Sequence, residues 1–128
     1  MSYVKFNTAL IVGAGSGLSA SLARALTSEG IKVALAARST ADLADLAKET
    51  GAKTIACDAS KGADVEKMFA ELDGGFGAPE IVIYNASYRT RGPLIGLDPA
   101  EVEKSIAVSA TAIKATAILN DFIVRLPR

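Results

Sequence analysis

The sequence predicts an α/β domain: a parallel sheet of about four strands with helices on both faces. Three observations carry that expectation. Short apolar runs and amphipathic stretches alternate along the 128 residues. The apolar runs are continuous, as in strands buried on both faces. Glycine and proline punctuate the chain between the two kinds of segment. Right-handed crossovers then place helices on either side of the sheet.

Thr8–Val12 reads as strand one, an apolar run ended by Gly13. Helix one is expected over Gly17–Glu29, where Leu18, Leu22, Ala25 and Leu26 recur at helical spacing. Gly30 ends it, where a left-handed cap costs glycine little. Ile31–Ala37 is strand two, apolar except for Lys32. Ser39 or Thr40 then caps a helix whose buried face holds Leu43, Leu46 and Ala47, and Gly51 closes it. Lys53–Cys57 is strand three. Helix three runs from Ser60 to Leu72 around Val65, Met68 and Phe69, and "DGGFGAP" breaks it. Glu80–Tyr84, "EIVIY", is strand four, and residues 86–97 form a loop. Asp98-Pro99-Ala100-Glu101 starts the last helix, with Asp98 as cap, Pro99 in the first turn and Glu101 reaching back. That helix is expected to reach about Val124. No linker or repeat interrupts the alternation, so residues 1–128 read as one domain.

Composition narrows the chemistry. Half of the residues are hydrophobic, enough for a core and too apolar for disorder. Fourteen basic residues balance fourteen acidic ones, which argues against nucleic acid or a membrane surface as partner. The sequence has no histidine, which removes His-based acid–base catalysis and most metal sites. Cys57 is its one cysteine, so no internal disulfide forms; it reads as a small core residue. "MSYVKFN" has no apolar signal core, and no run reaches about 18 apolar residues. A cytoplasmic protein is the expectation.

"GAGSGLS", residues 13–19, lies between a strand and a helix. Glycine lets backbone approach a phosphate closely, and the helix start offers unpaired N–H groups and a positive dipole end. A P-loop needs Lys-Ser/Thr after its last glycine, whereas Leu18-Ser19 follows Gly17. The general G-x-G-x-x-G pattern fails at Leu18. The spacing that fits is Gly-x-x-x-Gly, from Gly13 to Gly17.

With that loop the chain resembles the short-chain dehydrogenase/reductase family, whose pattern is T-G-x-x-x-G-x-G. Val12 stands at the threonine and Ser19 at the third glycine. The resemblance implies a Rossmann-like, three-layer doubly wound sheet in the order 3-2-1-4. It also implies a nicotinamide dinucleotide held by Gly13, Ser16, Gly17, Leu18, Arg38, Asp58, Asn85 and Ala86. Where the family carries an acid for the adenine ribose of NAD, this chain has Ala37 followed by Arg38. A small residue and a forked cation there imply NADP over NAD. Asp58 matches an aspartate that accepts from the adenine amino group; its position also suits a helix N-terminal acid. Asn85-Ala86 match the middle of the family's N-N-A-G, with Tyr84 and Ser87 at the flanks. The asparagine amide also suits tying strands together. All these matches fall at the carboxyl ends of strands, where open α/β sheets bind ligands.

Family chemistry uses a serine and a Tyr-x-x-x-Lys pair. Here the residues four beyond Tyr3, Tyr84 and Tyr88 are Asn7, Tyr88 and Gly92. Ser109 stands at the family's helix-four asparagine. The resemblance covers about the first half of a family member, so the expectation is a truncated, cofactor-binding half with no catalytic residues. Arg89 and Arg91 read as solvated loop charges. Strand four is left at an edge, and helix four carries two apolar stripes. One holds Val102, Ile106, Ile113, Ala117 and Val124; the other holds Val108, Ala112, Ala115, Leu119, Phe122 and Leu126. A homodimer through helix four or the strand-four edge follows as an expectation. Against these stands an engineered or vestigial scaffold that binds nothing usefully. A flavodoxin-like or receiver domain fits less well, because Gly13 sits where a receiver needs acids.

Overall fold

Each strand segment has hydrophobic side chains on both of its faces, and this alternation builds the molecule. The structure, a computed structural model, describes residues 5–110. Its strands are β1 (Thr8–Val12), β2 (Lys32–Ala37), β3 (Lys53–Ala56) and β4 (Ile81–Tyr84), all parallel, in the order β3-β2-β1-β4. Its helices are α1 (Leu18–Ser28), α2 (Ala44–Thr50), α3 (Gly62–Asp73) and α4, described over residues 99–110. On one face Leu10, Val12, Ala34, Ala36 and Ile55 pack with Val65, Met68, Phe69 and Leu72 of α3. On the other, Ile11, Val33 and Leu35 pack with Ala20 and Ala23 of α1 and with Leu43 and Leu46. These are two cores separated by one sheet, as the Rossmann-like expectation requires. Leu10, Ile11 and Leu35 are wholly buried, and each contributes about 1.5–3 kcal/mol.

Helix ends follow local chemistry. After α1 the Gly30 N–H bonds to the Thr27 carbonyl at 3.0 Å and the Ile31 N–H to that of Leu26 at 3.0 Å. Gly30 is left-handed, with φ +78°, so this is the glycine-closed end read from the sequence. Gly51 closes α2 in the same conformation, with φ +69°.

Several element starts differ from the expectation. The second helix opens as a 3₁₀ turn, Ala41–Leu43, and neither Ser39 nor Thr40 caps it with a side chain; the Thr40 carbonyl accepts the Leu43 N–H instead. Helix three begins at Gly62 rather than Ser60, because Asp58 holds both the Ser60 N–H and its hydroxyl. The loop over residues 86–97 contains a 3₁₀ turn at Leu94–Gly96. At α4 the Asp98 side chain accepts the Ala100 N–H at 2.9 Å, as expected of a cap. Glu101, expected to reach back, accepts instead from the Tyr88 hydroxyl.

In α4, Val108 is buried and Ile106 is 63% exposed, so the Val108 stripe meets the core here. The further stripe positions, Ile113, Ala117 and Val124 on one side and Ala112, Ala115, Leu119, Phe122 and Leu126 on the other, lie outside the described residues.

Gly13 is the position where glycine is indispensable. Its φ is +85°, and a Cβ would meet the Ala86 backbone N at 2.3 Å and the Asn85 carbonyl carbon at 2.7 Å. Gly15 faces open space at negative φ. Gly13→Ala is therefore expected to cost about 2 kcal/mol or more in urea unfolding, and Gly15→Ala under about 1 kcal/mol. Equal costs would contradict this account of the turn.

Candidate functional site

The carboxyl ends of the four strands open onto a cleft of about 740 Å³. Its floor is the turn from Gly13 to Ser16, held to β2 by two N–H donors, Gly13 and Ala14, on the Ala36 carbonyl at 2.9 and 3.0 Å. The turn is fixed on its other side by Ser19. This buried hydroxyl donates to the Gly13 carbonyl at 3.2 Å and accepts from the Asn85 side-chain amide at 2.9 Å. Asn85 also donates its backbone N–H to the Val12 carbonyl at 2.8 Å. The strand-tying role open to Asn85 is thus realised, through a serine where the family has glycine.

α1 starts at Gly17 without a side-chain cap and without an acid in its first turn. A helix start with no internal acceptor for its leading N–H groups is suited to an external anion. Of the eight residues singled out from the sequence, Gly13, Ser16, Arg38, Asp58, Asn85 and Ala86 line the cleft. Gly17 and Leu18 do not, and Leu18 is 64% exposed on α1.

Arg38 leaves β2 into the cleft, exposed and without an ion pair or hydrogen bond to the described residues. Asp58, from the end of β3, is differently placed. Its Oδ1 accepts the Ser60 hydroxyl at 2.7 Å and the Ser60 N–H at 3.0 Å. Those bonds, then the charges of Lys61 and Arg38, hold its carboxyl below the usual carboxylate range. One oxygen is therefore committed to the helix entry, and Oδ2 lies 3.9 Å from the Lys61 ammonium.

Cys57 lies beside it, 4% exposed. Burial above all, then the charges of Asp64 and Asp58, pushes its thiol up to about 11. A thiol so held stays protonated at neutral pH and is a poor nucleophile.

Sequence reasoning missed one wall of the cleft. Tyr88, Lys104 and Val108 line it from the β4–α4 connection and from α4. The Tyr84 hydroxyl donates to the Val108 carbonyl at 2.6 Å and so docks α4 on β4. The Lys104 ammonium lies 4.2 Å from the centre of the Tyr88 ring. The signal was present: Glu101, Lys104 and Val108 are spaced three and four apart, on one helix face. Tyr88 and Lys104 do not form a proton-relay pair. The hydrogen bond to Glu101, then burial and the Glu101 charge, raises the phenol, and the ammonium meets its ring face rather than its oxygen. A relay phenol needs the opposite shift. No cluster of potential metal ligands occurs among the described residues. None of their helices is long and apolar enough to cross a membrane.

A family model described as short chain dehydrogenase matches residues 7–121. The chain belongs to the short-chain dehydrogenase family. An L-xylulose reductase from Bos taurus is 31% identical over 106 residues, 82% of this chain and 42% of that protein. The fold of a short-chain type dehydrogenase/reductase from Mycobacterium marinum superposes with a TM-score of 0.80 at 27% identity, covering 88% of this chain and 48% of its own. A metagenomic short-chain oxidoreductase, solved in complex with NADP, gives 0.79 at 28% identity, covering 88% of this chain and 56% of its own. The chain thus spans about half the length of the short-chain dehydrogenases it matches.

Proposed function

We propose that this chain is the NADP(H)-binding half of a short-chain dehydrogenase/reductase, a single domain that carries no Tyr-x-x-x-Lys pair, resident in the cytoplasm. The observation that carries the reading is Arg38. It is a cleft cation without a carboxylate partner among the described residues, and it follows Ala37 where NAD-type members place an acid. The uncapped start of α1 and the open space at Gly15 suit a diphosphate. NADP(H), when bound, supplies or accepts hydride. In this reading Gly13 and Ser16 hold the diphosphate from the cleft floor and Gly17 and Leu18 through backbone N–H groups at the uncapped start of α1, Arg38 grips the 2′-phosphate, and Asn85 with Ala86 borders the ribose on the nicotinamide side. Asp58 offers Oδ2 to the adenine. No tyrosine of the sequence stands four residues before a lysine, which supports binding without turnover by this chain alone.

The reading includes a homodimer. β4 is an apolar strand at the sheet edge with all four residues half-buried, and Leu94, Ile95 and Ile106 are exposed beyond it. Sedimentation is expected to give twice the chain mass; a clean monomer at micromolar concentration overturns this part.

Calorimetric titration tests the cofactor reading. NADPH is expected to bind about tenfold more tightly than NADH, and Arg38→Asp to abolish that preference. No heat with either nucleotide from a folded sample would leave a scaffold whose glycine turn is architecture only.

A further inference from the structure

Two cations line the strand-end cleft, Arg38 and Lys104, and neither is paired with a carboxylate among the described residues. They come from different elements, the end of β2 and the middle of α4. Both border the same cleft as Tyr88, and Lys104 sits 4.2 Å over the Tyr88 ring.

Arg38 is the sequence-evident anion contact; nothing in the family pattern used above points to Lys104. Resting on the NADP(H) reading, we propose that Lys104 is a second cationic contact for the 2′-phosphate, held ready by the Tyr88 ring.

Three features support this. First, the acid best placed to neutralise Lys104, Glu101 on the same helix face, accepts from the Tyr88 hydroxyl instead. Glu101 thereby fixes the ring without capturing the ammonium. Second, lysine is a flexible, strongly hydrated charge, and parking it over an aromatic face removes part of the ordering cost before a ligand arrives. Third, of the two acids in the lining, Asp58 is engaged by Ser60 and Lys61 and Asp42 forms no ion pair among the described residues, so neither closes a salt bridge to Arg38 or Lys104. Tyr88 acts here as a positioning residue and Lys104 as the contact.

The experiment titrates the whole chain with NADPH and with NADH, for wild type, Lys104→Gln, Lys104→Arg, Tyr88→Ala and Tyr88→Phe. Matching thermal melts establish that the variants fold. Lys104→Gln is expected to weaken NADPH about threefold, leaving the rest of the preference to Arg38, and to leave NADH unchanged. Lys104→Arg keeps the preference. Tyr88→Ala lowers NADPH affinity in the same direction, and Tyr88→Phe, which keeps the ring but frees Glu101 to pair with Lys104, lowers it as well. Equal losses for both nucleotides would put Lys104 elsewhere on the ligand and overturn the assignment. An unchanged NADPH affinity in Lys104→Gln, with a wild type that prefers NADPH, overturns the lysine contact alone. A wild type that binds neither nucleotide overturns the cofactor reading and this inference with it.

Discussion

The buried Ser19 hydroxyl is the joint on which the strand-end cleft depends. It reaches the Gly13 carbonyl on one side and the Asn85 amide on the other, and so ties the first turn, α1 and the end of β4 together. The joint works because Gly13 has no side chain: its Cα packs directly against the backbone of residues 85–86. A hydroxyl is small enough to occupy the position at which relatives of this family place glycine, and it is satisfied there. An unsatisfied buried hydroxyl would cost about 1–3 kcal/mol.

What that joint holds open is chemically directional. The turn presents backbone and an uncapped helix start; β2 delivers a guanidinium; β3 delivers a carboxylate already half-committed to its own helix entry. The groups that face one another across the cleft come from four different strand ends and from α4. Their positions are set by the parallel register that places Val12 beside Ala36 and Tyr84. Binding chemistry at such a site is therefore a property of the sheet's topology as much as of the glycine turn.

The sheet was legible in the sequence because its information is local and redundant. Continuous apolar runs such as "ALIV" and "VALAA" and the closures at Gly30 and Gly51 each point to the same architecture. The strand order came from the family pattern rather than from any run. Less legible were the places where two side chains compete for one partner. Asp58 takes Ser60 away from the start of α3, and Tyr88 takes Glu101 away from the Asp98 cap; neither contest can be read from spacing alone. The Lys104 wall was hidden for a similar reason. It belongs to the site only once α4 is docked on β4 by Tyr84, a contact 24 residues apart in sequence.

The most direct test of the central claim, that the strand-end cleft is a preformed dinucleotide site, is an amide-resolved NMR titration of the chain with NADPH. The account predicts saturable shifts at Gly13, Gly15, Ser16, Arg38, Asp58 and Ala86. Lys32 and Lys53, at the opposite ends of their strands, should stay silent. Shifts concentrated at those opposite ends, or none anywhere in a well-dispersed spectrum, would contradict it.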